Sequence, residues 1–98
     1  MNSCHVVPIE KNVVLTGDEQ LETILLLVSG MGCPNCAIRV RNGLLDVQGV
    51  ISADVDHRAG TAGVLTDRAY VNIASLIDAV TKAGDDGHHC YRATLVIN

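Results

Sequence analysis

The chain has 98 residues, enough for one compact domain with its own core and too few for two ordinary ones. Hydrophobic residues make up 48% of it, but Trp and Phe are absent and only two Tyr are present. Aliphatic side chains and Ala must therefore fill the core, and no aromatic platform for stacking nucleic-acid bases is available. A formal net charge of -4 also argues against a phosphate-gripping surface, so nucleic acid is not an expected partner; a mildly acidic surface can instead steer toward a basic patch on another protein.

The start of the chain, Met1-Asn2-Ser3-Cys4-His5, lacks a basic region followed by an apolar one, so no signal peptide is expected and a cytoplasmic location is the default. Residues 1–20 mix short apolar pieces with Pro8, Gly17 and a polar run. They read as an N-terminal extension, with one short edge strand expected at 11–16. The domain proper is expected over 21–98.

Residues 21–28 form the first clear strand. The apolar run Ile24-Leu25-Leu26-Leu27-Val28, bounded by Gly17 and Ser29-Gly30, predicts a strand buried on both faces. The run is far shorter than the roughly 20 residues that cross a bilayer, so no membrane segment is expected.

After Pro34, which suits the first turn of a helix, Ala37, Val40, Leu44 and Val47 recur at spacings of three and four. They predict an amphipathic helix ending near Gly49. Ile51, Ala53 and Val55 then alternate with Ser52, Asp54 and Asp56, the period of a half-buried strand. A turn through His57-Arg58-Ala59-Gly60 leads to a second strand near 61–66, completing a hairpin.

Asn72 can cap a second helix whose apolar stripe is Ile73, Leu76, Ile77, Val80 and Ala83, and Gly84 stops it. A polar loop, Asp85-Asp86-Gly87-His88-His89, precedes a last strand in which Tyr91, Ala93, Leu95 and Ile97 alternate with polar or exposed positions. The resulting order, βαββαβ, predicts an α+β, ferredoxin-like open-faced sandwich: a four-stranded antiparallel sheet with both helices on one face.

Four cysteines in a chain of this kind point to reduced, metal-binding or redox-active thiols rather than structural disulfides. Cys33 and Cys36, two residues apart at the start of a helix, can turn both sulfurs toward one point. Backbone N–H groups and the positive end of the helix dipole favour thiolate there. Thiolates select copper(I), zinc and similar ions over magnesium or calcium. Two sulfurs alone suit near-linear copper(I) or mercury(II), whereas zinc requires more ligands. A thiol-disulfide redox protein is the alternative of a different class, although the aromatic flanks and longer chain of a thioredoxin-like enzyme are missing.

The segment Gly30-Met31-Gly32-Cys33-Pro34-Asn35-Cys36 resembles the GMxCxxC signature of heavy-metal-associated domains, which comprise soluble copper chaperones and N-terminal modules of copper-transporting P-type ATPases. The resemblance runs from about Leu21 to Ile97 and includes Gly49-Val50, Asp54-Val55-Asp56, Leu76-Ile77 and Ala83-Gly84. It implies that Cys33 and Cys36 are metal ligands, that Met31 packs under the loop, and that the chain passes copper(I) between partners without catalysing a reaction. The implied partners are a copper-transporting P-type ATPase or another chaperone, and exposed thiolates make a metal-bridged homodimer a further expectation.

Two features depart from the family pattern. Asp85-Asp86-Gly87-His88-His89-Cys90 intervenes before Tyr91, and it offers Cys90, His89 or His88 as a third or fourth ligand, which would move the preference toward zinc or slow copper release. Cys4-His5 is also outside the pattern and reads as a chain end. His57 is expected on the surface, at the end of the molecule opposite the cysteine loop, and Asp85 and Asp86 read as a solvated loop.

Overall fold

A computed structural model of the chain describes residues 7–11, 17, 20–32, 34–84 and 91–96. Its elements are β1 (Leu21–Ser29), α1 (Pro34–Leu45), β2 (Val50–Asp56), β3 (Thr61–Asp67), α2 (Ile73–Ala83) and β4 (Arg92–Leu95). The βαββαβ order matches the one read from the periodicities.

The four strands form one antiparallel sheet in the order β2-β3-β1-β4. β1 lies between β3 and β4, paired from Leu21–Asp67 to Leu27–Thr61 on one side and from Leu26–Leu95 to Ser29–Arg92 on the other. One face carries the core, in which Ile24, Leu26 and Val28 meet Val40 and Leu44 of α1, Leu76 and Val80 of α2, and Tyr91.

β1 differs from its expected burial. Ile24, Leu26 and Val28 are buried, but Leu21, Leu25 and Leu27 are 48%, 38% and 51% exposed. An uninterrupted apolar run marks a strand with two covered faces only when helices cover both, and here both helices lie on one side. The chain order βαββαβ, not the run, decides this.

In β2 the phase also shifts. Val50 pairs with Thr66 and Ala53 with Val64, with an irregularity between Val50 and Ser52, so Val50 rather than Ile51 is the fully buried residue at the strand's start. An extra residue in one strand resets the alternation in this way.

α1 stops at Leu45, four residues before the expected end. Val47 N–H donates to the Leu44 carbonyl and Val50 N–H to the Val47 carbonyl, turning the chain while Val47 still packs against the core. Gly49 makes the turn possible: its φ is +92°, and a Cβ there would stand 2.7 Å from the Val71 nitrogen.

At α2 the expected signals operate. The Asn72 side-chain oxygen accepts from Ala74 N–H at 2.9 Å, and Gly84 N–H returns to the Thr81 carbonyl at 3.2 Å. The buried Gly84 lies against Tyr91, whose ring would be 3.0 Å from any Cβ placed there.

Part of the extension is fastened to α1. The Asn42 amide accepts from Ile9 N–H at 3.0 Å and donates to the Val7 carbonyl at 2.9 Å, acting on that segment as a neighbouring peptide would. Arg41 donates to the Ile9 carbonyl, and the Lys11 ammonium reaches the Val47 carbonyl. The edge strand expected at 11–16 falls, apart from Lys11, outside the described residues.

Candidate metal centre

β1 delivers the chain to Ser29, Gly30, where φ is +96°, lets it turn, and α1 begins at Pro34. Pro34 fits because the first helical N–H needs no intrahelical partner. Cys33 immediately precedes the helix in sequence and lies outside the described residues; so do Cys4, His5, His88, His89 and Cys90.

Cys36, in the first turn of α1, is 3% exposed and part of the hydrophobic core. With Val40 and Leu44 it occupies positions i, i+4 and i+8 of one helix face, so its Cβ follows the buried stripe. The motif's second cysteine therefore has two neighbours of opposite character. Apolar side chains hold its backbone position and keep water off the sulfur, while the start of the helix supplies N–H groups and the positive dipole end suited to an anionic sulfur.

Met31 is half-buried and packs against the same core, in agreement with its expected apolar role. Tyr91 is also buried, between the end of α2 and the start of β4. Arg92 pairs with Ser29, so the two described flanks of the 85–90 segment, Gly84 and Tyr91, lie at the end of the sheet where β1 runs into the cysteine loop.

His57 corrects the expectation made for it. The β2–β3 turn is not at the far end: Leu27 pairs with Thr61 and Val28 N–H donates to the Gly60 carbonyl at 2.7 Å, so the turn stands at the same end as the cysteine loop. The reason is topological. In βαββαβ, β1 and β2 run in one direction, so the loop leaving β1 and the hairpin leaving β2 emerge together.

His57 is half-buried in that turn. The turn itself is held by Asp56, whose carboxylate accepts from Arg58 N–H at 2.9 Å and Ala59 N–H at 3.2 Å. These two bonds, from Ala59 and then Arg58, hold the Asp56 carboxyl below the usual carboxylate range, with His57 and Arg58 adding smaller contributions.

Among the described residues no three His, Cys, Asp or Glu side chains cluster as a metal site. Among them, too, no helix is long and apolar enough to cross a membrane. The described part of the centre is thus one half of a cysteine pair, seated in the core at the start of α1. Sequence reasoning missed two features, one at the centre and one away from it. The core role of Cys36 was readable from its spacing to Val40 and Leu44, whereas nothing in the sequence marked Asn42 as the anchor of the extension.

Comparison with known proteins agrees with this geometry. The family model for the heavy-metal-associated domain matches residues 25–86. A mercuric transport protein periplasmic component of Salmonella typhi is 38% identical over 63 residues, covering 64% of this chain and 69% of that protein. The copper chaperone CopZ of Staphylococcus aureus (strain Newman) is 36% identical over 62 residues, covering 63% of this chain and 91% of that protein. Among solved structures, a copper-binding domain from a P-type ATPase superimposes with a TM-score of 0.68 at 27% identity, covering 76% of this chain and 93% of that one. With the family model spanning most of the chain and the ferredoxin-like sheet reproduced, the protein belongs to the heavy-metal-associated domain family.

Proposed function

We propose that this chain binds copper(I) through the thiolates of Cys33 and Cys36 and passes it to a partner by stepwise thiolate exchange. The partner is a copper-transporting P-type ATPase or another copper carrier on the cytoplasmic side. Heavy-metal binding and transfer is common to the relatives; the metal and the ligands are the present reading.

The observation that carries it is Cys36 in the first turn of α1, at the end of the sheet where the loop bearing Cys33 leaves β1. Two sulfurs satisfy copper(I), which accepts low coordination and soft donors. Transfer follows from the same economy of ligands. An incoming thiolate can join as a third ligand before one of the original two leaves, so the ion is never released to water and neither protein needs to unfold. The chain acts as a carrier and makes no covalent change to a substrate.

The mercuric-transport relatives favour a second reading, mercury(II) as the cargo, because mercury(II) also takes two thiolates in line. A zinc reading needs ligands beyond the pair, and Cys90, with His89 or His88, is the proposed source, since the flanks of that segment lie at the same end of the sheet.

Anaerobic titration of the reduced protein against a competing chelator tests the proposal. One tight copper(I) equivalent is expected, abolished in Cys33→Ser, with X-ray absorption finding two sulfur neighbours. A reversible, strongly oxidising Cys33–Cys36 disulfide without tight copper(I) binding would sink it in favour of redox chemistry. Tighter mercury(II) binding, under the same competition and relative to CopZ measured alongside, would instead select the second reading. Cys90→Ser is expected to leave the copper(I) equivalent in place and to remove any four-ligand zinc site.

A further inference from the structure

The sheet face opposite the helices carries an apolar strip. Leu21, Leu25 and Leu27 of β1 project from it, and Val96 beside β4 is 38% exposed. Val96 N–H donates to the Leu25 carbonyl, which aligns Val96 with Leu25 across the strands.

The strip also contains a hollow. Leu25 stands directly opposite Gly63 in the register, and a Cβ at Gly63 would meet nothing closer than the Asp54 carbonyl oxygen at 4.0 Å. A projecting leucine and an empty position thus lie side by side on the two central strands. This arrangement is self-complementary under a twofold rotation.

We propose that this open face is the interface of a homodimer, formed sheet to sheet about a twofold axis that runs parallel to the strands between β1 and β3. Such an axis preserves the level along the strands and reverses the order across them, so β1 faces β3 and β2 faces β4. Leu25 then seats over Gly63 of the partner subunit, and the reciprocal contact follows by symmetry. Two sheets packed face to face in this way interdigitate their side chains.

The charges agree with this axis and oppose the alternative. β2 bears Asp54 and Asp56 on the open face, and β4 bears Arg92 there. Facing β2 with β4 brings Asp56 within an arginine's reach of Arg92 of the partner subunit. An axis perpendicular to the strands would set β2 on β2 and bring the aspartates together.

Four strands about 4.8 Å apart and about seven residues long give a face of roughly 450 Å² per copy, at the small end of specific interfaces. The association is accordingly reversible. It does not use the cysteine loop, so it stands apart from any metal-bridged pair and from the proposed function.

Sedimentation velocity across a concentration series tests the proposal, with the full chain metal-free under reductant and chelator. The expected result is a reversible monomer–dimer equilibrium, unchanged in Cys33→Ser. Leu25→Ala removes the projection and Gly63→Val fills the hollow, and each is expected to raise the dissociation constant at least about tenfold. Valine suits a half-buried strand position where a Cβ meets nothing closer than 4.0 Å, so the Gly63→Val monomer is expected to unfold no earlier than the wild type. The combined variant, with both changes, is expected to recover most of the lost association. A protein that stays monomeric throughout overturns the proposal, as does association that neither change weakens, that Cys33→Ser abolishes, or that the combined variant fails to restore.

Discussion

Two sides of α1 are held by different physics. Toward the sheet, Cys36, Ala37, Val40, Leu44 and Leu45 are buried along the whole helix, with Met31 packed against the same core. Another side holds residues 7–11 through Asn42 and Arg41, with Val7 still 68% exposed. Removing apolar surface from water is favourable in proportion to the area buried, so it fixes the core-facing side of the helix firmly. Hydrogen bonds at the surface replace bonds to water and contribute much less. The difference teaches that the candidate ligand Cys36 is placed by the core itself, while residues 7–11 are held by hydrogen bonds at the surface.

The largest expected effect tests the double duty of Cys36. Cys36→Ser should cost metal affinity at least about a hundredfold, as much as the loss of an important outer-shell group elsewhere, because it removes one of two proposed ligands. Cys36→Ala should lose the metal equally but destabilise the metal-free fold less, because a buried hydroxyl needs a partner that a methyl group does not. Equal thermal stability of the two metal-free variants would show that the Cys36 site is wetter than its burial indicates.

Next comes another buried residue on that stripe. Leu44→Ala should destabilise the fold by about 2–5 kcal/mol in denaturant unfolding, since Leu44 is fully enclosed. Metal affinity of the surviving folded protein should change little, which separates packing from ligation along one helix.

Asn42→Ala probes the weaker attachment. It removes two hydrogen bonds to the extension and should cost roughly 1 kcal/mol or less, while sharply increasing hydrogen exchange and protease cleavage near residues 7–11. Metal affinity should be unchanged. A large stability loss would mean that the extension belongs to the folding unit, against the expected boundary at residue 20.

The smallest effect concerns the turn that shares the metal end of the sheet. Asp56 has its carboxyl held below the usual range by backbone N–H groups, so its contribution is present above the ordinary carboxylate range and is lost as pH falls through the lowered value. Asp56→Ala should therefore lower the thermal midpoint slightly at neutral pH, and the gap to wild type should close on acidification. A gap independent of pH would mean that the turn is held by backbone alone.

The elements themselves were legible in the sequence because each rests on local rules. Ala37, Val40 and Leu44 at helical spacing, Asn72 and Gly84 as caps, and alternation through Ala53 and Val55 were sufficient. The misreadings share one cause, which is that they concern what lies across space. The run through Leu25 and Leu27 could not reveal that both described helices lie on the other side of its strand. The alternation through Ile51 could not reveal the irregularity that makes Val50 the buried residue. Placing His57 required following strand directions, which the notation βαββαβ implies but the residues around His57 do not.

By itself the sequence determined the order of elements, the family, and the pair of cysteines at a helix start, because periodicity, caps and a spaced motif depend only on near neighbours along the chain. Tertiary structure alone decided that Asn42 holds the extension, that the hairpin carrying His57 joins the cysteine end, and that Leu25 stands beside an empty Gly63. Each of these depends on the direction of strands and the side on which helices settle, which are set by burying one common core rather than by any local segment.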